Sequence, residues 1–372
     1  MQSSTARLAE LDFFRGLVLL IIVVDHIGGS MLSRVTLHTY ALCDAAEVFV
    51  FLGGYATAIA WTLLVKHRDE AAARRRFIRR AWEIYRAFLV TAGLMLLVSA
   101  ILRALSIDAP NMASSDLDGL IASPVAVLCD ILLLRRQPYL ASVLPMYVFF
   151  MLAVPVIVPL ARSRPWLLAV LSFALWALAG DAYRLLPAAP ENRWDFNPFA
   201  WQAMFTFGVL ARYQPTQARW HRWRGGWIVS VVALATVVVC AYCKLYVDLS
   251  SYGVMKRDLH WPRVVNFVAL AWLVSNMAQY GWIRRLAGWM PWVGALGRKG
   301  LLCFVVGTVI SLSVDSVLYW WTDGLLDVPL GLIADAVAIA ALLLVARCAD
   351  SVSWCSGTAS PRRTAGATRA TG

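Results

Sequence analysis

The chain consists of apolar runs that are each long enough to cross a lipid bilayer. A bilayer core of about 30 Å needs about 20 consecutive apolar residues in a helix, and each of the ten runs counts roughly 15 to 22. Since unpaired backbone groups are costly in hydrocarbon, uninterrupted runs of this length predict helices. The sequence therefore predicts an all-α polytopic membrane protein of about ten transmembrane helices. The predicted spans are 11–28, 45–65, 85–105, 142–161, 165–181, 197–213, 227–247, 261–280, 299–320 and 328–347.

Composition supports this fold class and argues against nucleic-acid binding. Hydrophobic residues make up 60% of the 372 positions and charged residues only 15%, against roughly 25% in soluble domains. A net charge of +12 would suggest nucleic-acid binding in a soluble protein. Here the excess of Lys and Arg in cytoplasmic loops explains it better, and no nucleic-acid motif accompanies it. We therefore expect membrane lipid, and no nucleic acid, as a partner.

Basic residues alternate from loop to loop along the chain, which predicts cytoplasmic N- and C-termini. The densest segment, 66–86, holds eight Lys and Arg residues. It is either a topology anchor on anionic lipid or a site for a polyanionic cytoplasmic ligand such as a CoA nucleotide. Residues 1–350 form one predicted integral membrane domain, and 351–372 are a basic cytoplasmic tail predicted to be disordered.

The first apolar run carries ionisable residues that membrane helices normally exclude. Arg15 and His26 are eleven positions apart, so at 100° per residue their side chains share a helix face. At 1.5 Å per residue they are separated by about 16 Å in depth, which is about half a bilayer core. Asp12 lies on the same side. Because such residues are costly in a membrane, this row predicts a functional site.

Two acids open the second run and extend that site. Asp44 and Glu47 are three residues apart, hence on one helix face, and a short connection places them at the depth of His26. Histidine transfers protons near neutral pH, and a carboxylate behind it would fix its tautomer and raise its basicity. Glu47 is the first candidate for this partner and Asp44 the second. Asp25, adjacent to His26, is a candidate only if the helix ends there, as the following glycines allow.

Two further segments combine aromatic, amide and charged side chains where a run begins, as carbohydrate sites and interfacial aromatic belts both do. The first is RRQPYLASVLPMY (135–147) and the second is WDFNPFAWQ (194–202), with RDLHWPR (257–263) a weaker third. The seven cysteines are scattered, and their single CxxC lies in an apolar run, so no metal site is predicted. The candidate acceptor-binding residues are Arg135, Arg136, Gln137, Tyr139, Tyr147, Asn197, Trp201 and Gln202.

Several motifs, in order, resemble the OpgC family of proteobacterial inner-membrane proteins over about residues 8–347. They are LDFFRGLVLLIIVVDHIGG, DAAEVFVFLGGY, LLLRRQPYLASVLPMY, NPFAWQ and LGRKGLL. The family is similar in logic to type 3 multi-span acyltransferases, which carry an Arg and a His with ten residues between them in the first helix. This chain departs from the family pattern at Gly53–Gly54, where relatives often read FLSGY, and at Arg298–Lys299–Gly300, where they read GRHSL.

The resemblance implies an inner-membrane acyltransferase that succinylates osmoregulated periplasmic glucans. No cofactor would be bound. Acyl-CoA, such as succinyl-CoA, would be the cytoplasmic co-substrate and a glucan hydroxyl the acceptor. His26 matches the catalytic His, as general base or as carrier of the acyl group, and Arg15 matches the family's Arg, so we expect Arg15, positioned by Asp12, to bind the donor. The rival hypothesis is a transporter or flippase for a saccharide or organic anion, whose pathway the charges would line.

Overall fold

The computed structural model describes residues 2–113, 116–138, 140–189, 192–214, 226–247 and 252–355. Every regular element in these ranges is helical. The helices are α1 (Gln2–Asp25), α2 (Leu37–Tyr40), α3 (Ala45–His67), α4 (Glu70–Ala104), α5 (Pro110–Ala113), α6 (Leu117–Ala122), α7 (Pro124–Leu132), α8 (Val143–Ser163) and α9 (Pro165–Ala177). They continue with α10 (Ala179–Ala182), α11 (Pro198–Tyr213), α12 (Gly226–Tyr246), α13 (Tyr252–Arg257), α14 (Trp261–Gln279), α15 (Trp282–Trp289), α16 (Pro291–Arg298), α17 (Gly300–Thr322) and α18 (Val328–Cys355).

Six of the described helices are long and apolar enough to cross a membrane: α3, α4, α8, α12, α17 and α18. A seventh span results if α9 and the segment Ala179–Leu185, bent by 64° against it, count as one. The all-helical membrane class is confirmed, but the predicted count of ten is not. A helix lies at each predicted span. However, α1 contains five ionisable residues and α11 has only 16 residues, so neither is among the six.

Two helix pairs pack so closely that only glycine fits between them. On α1, a Cβ at Gly16 would lie 1.9 Å from the Val293 carbonyl oxygen, and on α16 a Cβ at Gly297 would lie 1.8 Å from that of Asp12. The same contact joins α3 and α11, through Gly54 and Gly208. Small residues let helix backbones approach in membranes, where van der Waals packing drives association. The first contact fixes the polar face of α1 in the bundle.

The helix bundle has two ends, named the His26 end and the basic end. At the His26 end, α1 finishes and α3 begins; at the basic end, α3 finishes and α4 begins within the segment 66–86. The helix α17 starts beside Arg15, where Gly300 lies, and reaches the turn after His26 with Asp315. At its own end, α18 continues to Cys355 and crosses the predicted domain boundary at residue 350, while residues 356–372 lie outside the described ranges.

Candidate functional site

His26 is half-buried and directly follows the last residue of α1. Its Nδ1 lies 2.6 Å from the carbonyl oxygen of Ile22, one turn back along the helix. A carbonyl can only accept, so Nδ1 carries the proton in this hydrogen bond. In the neutral imidazole the lone pair is then on Nε2. The backbone of α1 therefore sets the tautomer that a general base requires.

Glu47, the first candidate for the carboxylate partner of His26, lies in the first turn of α3 and accepts hydrogen bonds there. Glu47 is fully buried, and its Oε1 accepts a hydrogen bond from Arg263 Nε at 2.6 Å. Its Oε2 accepts from the Asp44 backbone N–H at 2.9 Å, and the Asp44 side chain accepts from the Ala46 N–H. Together with a hydrogen bond from the Glu47 backbone N–H to the Asp44 side chain, the bond from the Asp44 N–H to Glu47 forms a capping box on α3. Their spacing of three residues is that of a capping box, so the two acids begin the helix. Both acids also bind Arg263.

Arg263 on α14 is a central residue of this end that the sequence interpretation missed. It is fully buried, and its Nη2 lies 3.2 Å from Asp44 Oδ2. One turn along, Asn266 accepts hydrogen bonds from the backbone N–H groups of Leu42 and Cys43. Both side chains therefore anchor the start of α3 to α14. The sequence signal for Arg263 is its place in RDLHWPR (257–263), the weaker third of the polar segments.

Lys256 on α13 brings a second cation to Asp44. Its Nζ lies 2.9 Å from Asp44 Oδ2 and 5.6 Å from the centre of the Phe196 ring. Burial lowers the pKa of Lys256, but the charge of Asp44 and their hydrogen bond outweigh this and raise it above its ordinary value. The side chain remains 29% exposed. A protonated amine is thus available near the mouth of this end.

Asp25, the alternative partner of His26, accepts a hydrogen bond from Thr36 Oγ1 at 2.6 Å. Thr36 precedes the short helix α2, which carries His38. Burial lowers the pKa of His38 from its ordinary value of 6.5, so its imidazole is neutral at pH 7. Asp25 thus binds the segment that follows His26, and Asp44 binds Lys256 and Arg263 at the start of α3.

Arg15 lines a cavity of about 300 Å³ that reaches the basic end. Gly300 lets the Arg15 guanidinium lie against the start of α17, because a Cβ at this position would be 3.1 Å from Arg15 Nη2. Phe49, Tyr147 and Phe304 line the part nearest the His26 end. The ring centre of Phe49 lies 5.5 Å from that of Tyr147 and 6.0 Å from that of Phe304. Arg76 and Arg80 of α4 line it as well. The cavity therefore combines apolar walls with three guanidinium groups.

A smaller pocket adjoins this cavity and shares Leu64 and Arg76 with it. Arg68, Arg75 and Arg79 also line the pocket. Glu83 forms ion pairs with Arg76 at 3.0 Å and with Arg80 at 2.8 Å. Among the described residues, no carboxylate pairs with the other three arginines. The basic segment thus faces the cavity that holds Arg15.

The structure does not bring the predicted acceptor-binding residues together on one face. Asn197 and Trp201 are fully buried, and their side chains donate to the Ala179 carbonyl and to the carbonyls of Lys256 and Arg257. Gln202 exchanges hydrogen bonds with Ser172. These contacts join α11 to its neighbours, so the structure does not support an acceptor-binding role for the three.

The remaining acceptor candidates lie in two other places. Tyr147 lines the Arg15 cavity and donates to the Phe49 carbonyl at 3.0 Å. Arg136 pairs with Asp116, and Arg135 Nη1 lies 3.3 Å from Asp130. Gln137 is half-buried beside them, and Tyr139 lies outside the described residues. Arg135, Arg136 and Gln137 are each partly exposed.

Residues 7–354 match the family model described as OpgC protein. No curated protein and no solved structure matches the chain. The match covers nearly the whole chain and includes every residue of the two bundle ends described above.

Proposed function

We propose that this chain, which belongs to the OpgC family, is an inner-membrane O-acyltransferase with acyl-CoA as donor and a periplasmic glucan or other envelope glycan as acceptor. The acyl group is succinyl in this proposal, as the family resemblance implies. Ten transmembrane helices with both termini in the cytoplasm would place the basic end inside and His26 outside. Family membership and the long apolar helices support the membrane enzyme.

One observation carries the proposal. Helix α1 presents Arg15 to a cavity that reaches the basic end, and His26, which directly follows its last residue, lies at the other end in a basic tautomer. By helix geometry the two residues are about 16 Å apart. A thioester donor that enters from the cytoplasm and an acceptor that stays outside need this division between two ends. Arg15, with Asp12 three residues before it on the helix, would hold a polar group of the donor in the cavity.

The chemistry follows from the state of His26. Nε2 takes the proton of an acceptor hydroxyl, and the resulting oxygen attacks the thioester carbonyl carbon. The C–S bond breaks, the acyl–oxygen ester forms, and the imidazolium returns its proton to the leaving thiolate. The Lys256 ammonium, held by Asp44, would stabilise negative charge that develops near this end. No redox step or metal is required for this transfer.

The transporter hypothesis gives a different result in one experiment. Purified protein in lipid is incubated with labelled acyl-CoA and glucan, and ester formation and thiol release are measured. We expect stoichiometric ester and thiol from the wild type, and a rate about 10²–10⁴-fold lower from His26→Ala. His260→Ala is the matched control, because His260 is exposed at the start of α14. Uptake of intact substrate without thiol release would contradict the acyltransferase and support the transporter hypothesis.

The topology can be tested independently. Reporters that are active only in the periplasm are fused after residue 40, after residue 75 and at the C-terminus. We expect activity from the first fusion alone, since the basic segment should remain inside. Activity after residue 75 would place His26 in the cytoplasm and contradict the proposed direction of transfer.

A further inference from the structure

The turn after His26 is held by two buried aspartates that the catalytic proposal does not use. Asp315 comes from α17 and Asp335 from α18, with 6% and 2% of their surface exposed. Asp315 Oδ1 accepts a hydrogen bond from the Gly28 backbone N–H at 2.6 Å. Its other oxygen accepts from the side chain of Asn111, in the short helix α5.

Asp335 holds the next residues of the same turn. Its Oδ1 accepts from Ser30 Oγ at 2.5 Å, and its Oδ2 accepts from the backbone N–H groups of Met31 at 3.0 Å and Leu32 at 2.9 Å. Hydrogen bonds to a carboxylate are roughly twice as strong as bonds between neutral groups. Four groups between residues 28 and 32 are thus bound by two carboxylates from the last two helices.

The sequence around His26 explains why such a clamp is needed. His26 is followed, after Ile27, by Gly28 and Gly29, and glycine gives the backbone its greatest conformational freedom. A Cβ at Gly28 would lie 3.3 Å from Asp315 Oδ1, one at Gly29 would lie 2.6 Å from the Leu318 side chain, and one at Gly331 would lie 2.4 Å from the Gly29 carbonyl oxygen. The close approach of α17 and α18 therefore favours glycine in the turn beside His26.

Buried carboxylates are costly unless they are paired or hydrogen-bonded, and intramembrane acids usually mark function. We infer that Asp315 and Asp335 are positioning residues that fix the end of α1 and thereby the placement of the His26 imidazole. This inference rests on the proposed role of His26 as the base. A displacement of about 1 Å at a reacting group can reduce a rate by about 10²-fold, so a loose turn would slow the chemical step.

The test compares Asp315→Asn and Asp335→Asn with Ser311→Ala. Ser311 is a matched control, because it lies one turn before Asp315 on α17 and donates to the Val23 carbonyl of α1 at 2.9 Å. We expect both Asp variants to lower kcat by about 10-fold to 100-fold while KM for acyl-CoA changes less than about twofold. Ser311→Ala should change both constants less than about twofold.

A second measurement does not depend on activity. Amide hydrogen exchange of a peptide covering residues 27–33 should become about tenfold faster in each Asp variant, as expected for the loss of a charge-assisted hydrogen bond. It should remain unchanged in Ser311→Ala. If an Asp variant does not fold, Ser30→Ala removes one bond to Asp335 and should show a smaller change in the same direction.

The outcomes separate the two proposals. Unchanged exchange, or a fall in kcat no larger than in Ser311→Ala, would overturn the clamp. A rise in KM equal to the fall in kcat would also overturn it, because the effect would then be general disruption. A wild-type protein without acyl transfer but with faster exchange in the Asp variants would contradict the proposed function and the catalytic part of the inference, and leave only the clamp's geometry.

Discussion

Removal of Arg263 should destabilise the protein more than removal of any exposed arginine. Arg263 and Glu47 are both fully buried, with 2.6 Å between Nε and Oε1. Taking one partner from a buried ion pair costs about 3–5 kcal/mol, since the remaining charge stays desolvated. Asp44 would still be compensated by Lys256, so the uncompensated group is Glu47. For a chain of this size about 2 °C is lost per kcal/mol, and Arg263→Ala should lower Tm by about 6–10 °C.

Thermal unfolding in detergent measures this difference, and Arg74→Ala provides the matched control. Arg74 pairs with Glu70 at 2.9 Å on the exposed surface of α4, and such pairs contribute about 0.3–0.5 kcal/mol. The double variant Glu47→Leu/Arg263→Met should recover most of the lost stability, because no buried charge is then left alone. It should retain a deficit of about 1 kcal/mol from the broken capping box. Equal Tm losses for Arg263→Ala and Arg74→Ala would refute the buried ion pair as described.

Three further predictions concern the donor cavity, helix packing and pH. Arg15→Lys keeps the charge but loses the planar fork, so the apparent affinity for acyl-CoA should fall more than turnover at saturation; steady-state kinetics that show the reverse would exclude a donor-binding role. Gly297→Val should lower Tm by several degrees relative to Gly288→Ala, since a Cβ at Gly297 would lie 1.8 Å from the Asp12 carbonyl oxygen and one at Gly288 meets nothing within 4 Å. His38 has a lowered folded pKa, so its contribution to stability is complete above pH 6.5 and is lost as pH falls toward that lower value. The wild type should therefore lose more stability between pH 7 and 5 than His38→Gln, and parallel pH–Tm curves would contradict this.

Several features of the site were readable from the sequence because they depend on local geometry. The eleven-residue spacing of Arg15 and His26 fixes them on one face of α1, and the cavity confirms that Arg15 faces the protein interior. The three-residue spacing of Asp44 and Glu47 correctly places both at the start of α3. The contact itself could not be read, because two acids three residues apart can either close a capping box or face a partner on another helix.

The sequence by itself determined the fold class, the helical segments and the family, since these depend on the length of apolar runs and on local motifs. Only the tertiary structure decided the partners of the buried charges. Glu47 and Arg263 are 216 positions apart, and Ser30 and Asp335 are 305 apart. A contact at such a separation depends on how the helices pack, and that packing is set by close approaches such as Gly16 against α16, which no local pattern encodes.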